Sequence, residues 1–297
     1  MQLRQTLNAA VEQLTAAQVP SPRMNAELLI MFTLDCDRAY LYAHPERELT
    51  SDETQRYDEA LARRVTGIPA QYITGHQEFW GMDLIVSPAV LIPRPETEHI
   101  VETVLELAKP KIMERRASPP VHPEQSRRVR IVDVGTGSGA IALALAKELP
   151  AAEIHATDIS PEALEVARAN AARHELASRI KFHQADLLEG LSPASFDFVV
   201  SNPPYVGDSE EDSVQLEVRK FEPRNAVFAG PTGLEIIDRL IPQAESMLIP
   251  DGWLILEISG TIAEAVRHNL AGWAEVRLTN DLQGIARVAA VKNPSSR

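Results

Sequence analysis

Cysteine is almost missing from these 297 residues: Cys36 stands alone, so no disulfide can form within the chain. The eight histidines show neither a paired helical spacing nor a cluster with cysteine, and no metal site is expected. Long apolar runs are missing as well. No stretch approaches the roughly 20 residues that cross a bilayer, and Met1 to Gln5 lead into an amphipathic pattern and not a secretory apolar core. The expectation is a soluble, cytoplasmic protein without membrane contact. Positive charge is also short. The 29 Lys and Arg against 42 Asp and Glu leave a net charge of −13, which argues against tight nonspecific binding to nucleic acid, where clustered cations must replace counterions. One segment runs the other way: Lys109, Lys111, Arg115, Arg116, Arg127, Arg128 and Arg130 outnumber Glu114 and Glu124. With its prolines, this stretch reads as a solvated, mobile linker.

What is present suits two domains with separate cores, at 44% hydrophobic and 24% charged residues and with no internal repeat. Leu3, Leu7, Val11 and Leu14 recur at helical spacing, and Ser21-Pro22 opens a second helix carrying Leu28, Leu29 and Phe32. Thr50-Ser51-Asp52-Glu53 is a capping box ahead of Tyr57, Leu61 and Val65. Residues 1–77 therefore read as a helical bundle, 78–94 as a hairpin linker around Gly81 and Ser87-Pro88, and 95–297 as a larger domain entered by a helix from Pro95.

In that larger part, the run Val129 to Val134 opens into Gly135-Thr136-Gly137-Ser138-Gly139, followed by strong helix formers from Ala140 to Ala146. This is strand, glycine turn, helix. Glycines at alternate positions let a backbone approach a ligand, and the N–H groups of the helix start favour a carboxylate or phosphate. Ser138 alone separates Gly137 from Gly139, whereas the dinucleotide fingerprint wants two residues there, so a pyrophosphate cradle is disfavoured. A second strand ends at Asp158, about 20 residues further on, where an acid can accept both hydroxyls of a ribose. Ser160-Pro161-Glu162 then caps a helix. A third strand ends at Asp186 and a fourth, Phe196 to Ser201, at Asn202. In an open parallel sheet the strand C-termini border one crevice, so Gly135, Asp158, Asp186 and Asn202 are expected to converge. Beyond an acidic loop from Asp208 to Asp212, the pattern gives a helix from Thr232 to Leu248, a turn at Pro250-Asp251-Gly252, a strand from Trp253 to Ile258, and a closing antiparallel pair over 274–280 and 286–292.

Asn202-Pro203-Pro204-Tyr205 ends the fourth strand in a stiff turn, because two prolines cannot continue it. The prolines have no N–H, so this corner offers carbonyl oxygens beside an Asn amide and a Tyr ring, a setting suited to gripping a planar NH2 group.

Together these residues resemble the class I methyltransferases that use S-adenosylmethionine, and more narrowly the protein N5-glutamine methyltransferases that modify peptide chain release factors. The narrower resemblance rests on Val90 to Glu98 (VLIPRPETE), Asp133 to Gly139 (DVGTGSG), Ser201 to Tyr205 (SNPPY), Glu222-Pro223, and Asp281-Leu282 with Gly284 and Arg287. It runs from about residue 20 to the C-terminus. Ser259 and Ile262 depart from it, standing where a glycine and often a glutamine follow Leu256-Glu257-Ile258, and residues 109–129 are longer than usual.

The resemblance implies an α/β fold, Rossmann-like, with a mostly parallel seven-stranded sheet behind an N-terminal all-α bundle that docks the substrate protein. It implies that Gly135, Thr136, Gly137, Ser138 and Gly139 hold the methionine end of S-adenosylmethionine, Asp158 its ribose, and Asp186 with Leu187 its adenine. Asn202 and Pro203 would accept the hydrogens of the substrate amide, Pro204 would shape the same corner, and Tyr205 would pack on the amide plane. Residues Ile92 to Glu98 should shape the pocket from the domain junction. The expected partners are class-1 peptide chain release factors, modified at a glutamine on an exposed glycine-flanked loop, with no nucleic acid, no membrane and no second copy of the chain. Two rival readings are an adenine-N6 nucleic-acid methyltransferase, which shares the Asn-Pro-Pro-Tyr tetrapeptide, and a non-catalytic module that binds the cofactor and docks on the translation apparatus.

Overall fold

The run from Phe196 to Ser201 carries Phe196, Phe198 and Val200 at one set of alternate positions and Asp197, Val199 and Ser201 at the other, and all six residues are buried, as in a strand covered from both sides. The computed structural model describes residues 1–117, 128–281 and 283–294. Its strands in chain order are β1 (His76–Phe79), β2 (Met82–Ile85), β3 (Arg130–Val134), β4 (Glu153–Asp158), β5 (Ile180–Gln184), β6 (Phe196–Ser201), β7 (Val206–Gly207), β8 (Phe228–Gly230), β9 (Leu248–Glu257), β10 (Glu275–Asn280) and β11 (Ala286–Lys292). Seven form one sheet in the order β10-β11-β9-β6-β3-β4-β5. The pairs β6·β9, β3·β6, β3·β4 and β4·β5 are parallel, and β11 runs antiparallel between β9 and β10. This is the mostly parallel, Rossmann-like sheet of seven strands that the resemblance implies.

The chain winds outward from β3 in two directions, to β4 and β5 on one side and to β6 and β9 on the other. The point of reversal lies between β3 and β6, where loops leave in opposite directions and a crevice opens at the strand C-termini. Val134 is in register with Ser201 across that boundary, and the Ser201 hydroxyl donates to the Val134 carbonyl at 2.8 Å. The glycine turn and the Asn-Pro-Pro corner therefore leave adjacent strands at the same height.

Side-chain alternation sorts the core into two clusters, one on each face. Ile131, Phe198 and Val200 join the helix Ala140–Glu148 and residues of the helix Glu98–Ala117. Val132, Val134 and Val199 join the helix Glu235–Met247 and the helix Ala263–Asn269. The Ser160 hydroxyl accepts from the Ala163 N–H at 3.1 Å and starts the helix Pro161–Arg173, a cap that contributes about 1 kcal/mol.

The chain divides into two compact units. The smaller contains Met1–His76, with helices Leu3–Ala16, Pro22–Leu34, Arg38–Ala43, Ser51–Val65 and Ala70–Thr74 around a core that includes Leu14, Leu29, Ile30 and Tyr57. The capping box is formed: Thr50 Oγ1 accepts from the Glu53 N–H, and Glu53 Oε2 accepts from the Thr50 N–H.

Four sequence expectations need correction. Gln215–Phe221, assigned to the larger domain within 95–297, belongs to the smaller unit, because buried Arg64 donates to Glu217 Oε2 at 2.6 Å as well as to Asn25 Oδ1 at 2.7 Å. The boundaries also shift: the first unit ends at His76, and residues 78–94 belong to the larger unit, not to a separate linker. The basic stretch from Lys109 is helical through Ala117 despite Pro110, and Lys111 Nζ donates to the Asp251 carbonyl at 2.7 Å. The remainder of that expected linker, residues 118–127, lies outside the described residues. Finally, Pro250-Asp251-Gly252 does not precede β9 as a turn but lies within it. Asp251 sits at φ +62, and the pairing with β6 shifts register between Phe196 and Phe198, a bulge that keeps the strand continuous.

Candidate active site

A cavity of about 460 Å3 opens at the reversal point, within the range of small-molecule sites. It is lined by Gly135, Thr136, Gly137 and Ser138 after β3, Asp158 and Ile159 after β4, Asp186 and Leu187 after β5, and Asn202 and Pro204 after β6. The four strand ends thus meet at one place. Val90, Leu91, Pro93 and Thr97 add a wall from the Val90 to Glu98 segment, though Ile92 itself is buried. Pro223, Asn225 and Ala226 add another.

The glycine turn works differently from expectation. Gly135 and Thr136 N–H groups both donate to the Thr157 carbonyl at 2.9 Å, Gly137 N–H donates to Asp158 Oδ2 at 2.9 Å, and Gly139 N–H donates to the Thr136 carbonyl at 2.8 Å. Four of the five turn donors are occupied inside the fold, so the turn is not a nest of free N–H groups awaiting an anion. Its contribution is room. Gly135 and Gly137 have φ +71 and +55, and a Cβ built on either meets nothing within 4 Å, so side chains there would project into space a ligand can use. Gly139 does not line the cavity. A Cβ there would come within 2.8 Å of Leu143 Cδ1 and 3.3 Å of Ala167 Cβ, so this glycine serves the packing of two helices.

Under the turn lies Asp133, fully buried. Its Oδ2 accepts from Thr136 Oγ1 at 2.6 Å and from the Ala142 N–H at 3.2 Å, while its Oδ1 has no partner among the described residues. Burial pushes this carboxyl up to about 7. A folded-state value raised above the ordinary one means that the native protein binds the proton more tightly than the unfolded chain. Stability is therefore greatest at low pH and falls as pH rises from about 4 to 7, by on the order of 4 kcal/mol for this group. Asp133→Asn should flatten that part of the pH profile of urea unfolding; parallel profiles for the variant and the parent would rule the assignment out.

Asp158 keeps Gly137 N–H on one oxygen and Ser160 N–H on the other, both at 2.9 Å. Each carboxylate oxygen retains a second lone pair, so two hydroxyls can still be accepted. Burial raises this carboxyl, with the backbone donors opposing. Asp186 Oδ2 is bound by Arg239 at 2.5 Å, an arginine that also lines the cavity and that carried no sequence signal. Leu187 holds φ +56, a left-handed conformation that costs a branched side chain about 1–2 kcal/mol. The set fits an adenosyl ligand: open space over two glycines, a carboxylate with spare lone pairs, and apolar Ile159 and Leu187.

At the Asn-Pro-Pro-Tyr corner the structure separates what the sequence grouped. Asn202 and Pro204 line the cavity, whereas Pro203 is buried and does not, and neither does Tyr205. The Tyr205 ring packs on the apolar cluster and its hydroxyl donates to Glu257 Oε1 at 3.2 Å, so it is not free to lie over a substrate amide. Burial and the neighbouring Glu257 push the phenol well above its ordinary range, which keeps it a donor. Asn202 Nδ2 donates to Thr97 Oγ1 at 3.1 Å, and Thr97 Oγ1 donates to Glu257 Oε2 at 2.6 Å. Among the described residues no group donates to Asn202 Oδ1.

A seven-stranded sheet reversed beside β3, with a glycine turn, an acid after β4 and an Asn-Pro-Pro-Tyr corner after β6, defines a class I methyltransferase. Residues 121–220 match the methyltransferase small domain, and residues 5–75 match the PrmC N-terminal domain. The chain belongs to the release factor glutamine methyltransferase family. It is 52% identical over 297 residues to the release factor glutamine methyltransferase of Koribacter versatilis, covering 100% of both chains. The protein of that name from Escherichia coli is 39% identical over 290 residues, covering 97% of this chain and 98% of its own. Among solved structures, the hMettl16 catalytic domain in complex with a MAT2A 3'UTR hairpin superposes with a TM-score of 0.54 at 18% identity, covering 78% of this chain and 81% of that one. A methyltransferase from Pyrococcus furiosus superposes with a TM-score of 0.50 at 19% identity over 72% of this chain and 90% of that one. These two likenesses concern the fold.

Proposed function

We propose that Asn202 is the acceptor through which this chain, a release factor glutamine methyltransferase, holds the side-chain amide of its substrate for methylation at nitrogen. The enzyme takes the methyl group from S-adenosylmethionine, which when bound supplies an electrophilic carbon on a sulfonium. Its protein substrate is a peptide chain release factor. A glutamine amide nitrogen is a weak nucleophile because its lone pair is conjugated with the carbonyl, as the rotation barrier of roughly 18–20 kcal/mol in ordinary amides records. The observation that carries the reading is the tethered Asn202: its Nδ2 is held by Thr97, and its Oδ1 is left without a donor at the wall of the cavity. That oxygen accepts an amide hydrogen of the substrate, aims the nitrogen and stabilises positive charge as it develops. An N-protonated amide sheds its proton readily, so no strong base is required first. Pro203 contributes by fixing φ and withholding an N–H, and Pro204 by walling the corner.

Gly135 to Ser138, Asp158 and the Asp186–Leu187 step are the residues that would hold the donor. The cavity is complete within one chain, in keeping with a monomer, and a translation factor as substrate puts the reaction in the cytoplasm. No helix among the described residues is long and apolar enough to cross a membrane.

Incubation with labelled S-adenosylmethionine and a release factor, followed by mass analysis of its peptides, tests the reading. The expected result is one added methyl on a glutamine within a glycine-flanked loop. Label on duplex DNA and none on the release factor would refute it.

A further inference from the structure

The tether on Asn202 does not stop at Thr97. Thr97 has one hydroxyl proton, and it is donated to Glu257 Oε2 at 2.6 Å. The Thr97 oxygen is thereby left as an acceptor, and only the NH2 end of Asn202 can satisfy it. The donor order thus runs from the carboxylate outward, Asn202 Nδ2 to Thr97 and Thr97 to Glu257. Thr97 is 4% and Glu257 3% exposed, so water does not compete for these contacts. Sheet register builds the arrangement: Ser201 pairs with Leu256, which brings the next residue of each strand, Asn202 and Glu257, to the same level at the end of β6 and β9. Tyr205 OH occupies the other carboxylate oxygen at 3.2 Å.

We propose that Thr97 and Glu257 are positioning residues that fix which way round the Asn202 amide sits, and so decide that the cavity is met by a carbonyl oxygen and not by an NH2. The proposal rests on the reading of Asn202 given above and deepens it. An ionised carboxylate can only accept, which forces Thr97 to donate inward and Asn202 to point its Nδ2 inward. A protonated or amidated side chain can donate to Thr97. The Thr97 proton is then free to turn toward Asn202, and the amide flips to present two donors to a substrate NH2, which repels it.

The groups facing Glu257 are Tyr205 from the segment after β6, Thr97 and Glu96 from the turn Pro95–Thr97, and Arg287 from β11. Burial raises the Glu257 carboxyl, Glu96 adds to that effect, and the two hydroxyl donors and Arg287 oppose it. Turnover should therefore fall on the acidic side as Glu257 takes up a proton.

The test compares the full-length protein with Thr97→Val and Glu257→Gln, which are nearly isosteric, with Thr97→Ser, which keeps the hydroxyl and loses a methyl, and with Asn202→Ala. Thr97→Val and Glu257→Gln should lower kcat about 10- to 100-fold, with S-adenosylhomocysteine binding by calorimetry little changed and a lowered thermal midpoint that still leaves the protein folded at the assay temperature. Thr97→Ser should recover most of what Thr97→Val loses. The acidic limb of kcat should vanish in Glu257→Gln. In the protein without substrate or cofactor, 15N NMR of the Asn202 side-chain NH2 should shift with pH in the parent and stay fixed in Glu257→Gln.

Near-parental kcat in Thr97→Val, failure of Thr97→Ser to recover activity, or an unchanged acidic limb in Glu257→Gln would each overturn the relay while leaving the Asn202 reading intact, provided Asn202→Ala is inactive. Should Asn202→Ala turn over normally, the parent reading itself fails. If Glu257→Gln unfolds, the Thr97 pair decides alone.

Discussion

Asn202→Ala should lower turnover by about 10²–10³, equivalent to roughly 2.7–4 kcal/mol of transition-state stabilisation if its oxygen is worth what a preorganised oxyanion-hole donor is worth. Cofactor affinity should weaken much less, because the residues proposed to hold the donor lie mainly after β3, β4 and β5 while Asn202 follows β6. The distinction is visible in kinetics. A group acting only as charge develops lowers kcat and kcat/KM together, whereas a mere contact with the bound substrate raises KM alone. Single-turnover rates with saturating cofactor separate the two, and a rate within a few-fold of the parent would remove Asn202 from the chemistry.

Gly233→Ala should be the most damaging single methyl added to the domain. Gly233 has φ +84, and a Cβ there would lie 2.6 Å from the Tyr205 carbonyl oxygen and 3.1 Å from the Gly207 nitrogen. Both neighbours are backbone, with no rotamer to yield. The left-handed conformation costs a non-glycine residue about 1–2 kcal/mol and the overpacking about 1–3 more, so a loss of roughly 2–5 kcal/mol is expected in denaturant unfolding. Because the displaced chain directly follows the Asn-Pro-Pro corner, turnover should drop even where the protein stays folded. A variant as stable and as active as the parent would show that the Tyr205–Gly207 segment moves aside freely.

Local signals carried much of the architecture. The strand ends at Asp158, Asp186 and Asn202 were visible because apolar runs stop at polar residues, and the capping box at Thr50 because its chemistry is confined to four residues. What escaped was long-range. Glu257 looked like the end of one more buried strand, and its role depends on Thr97, 160 positions away. Arg239 sits on a helix with no distinguishing pattern, and only the fold brings it to Asp186. The prolines of the basic stretch suggested a linker, yet the helix continues through Pro110 to Ala117. Gly139 was grouped with its neighbours by spacing, although only the packing of Leu143 and Ala167 explains it. Tyr205 belonged by sequence to the gripping corner, and the carboxylate that claims its hydroxyl lies on another strand.

The seam between β3 and β6 has a consequence for how this scaffold can be retargeted. Ser201 is pinned to Val134, so the two loops that meet donor and acceptor keep a separation dictated by strand spacing, near 4.8 Å. Neither loop can drift to suit a different nucleophile without breaking the ladder. The surfaces open to redesign are those outside it, the Val90–Pro93 stretch and the Pro223–Ala226 turn, whose exchange would alter which molecule enters while leaving Thr97 and the transfer geometry untouched.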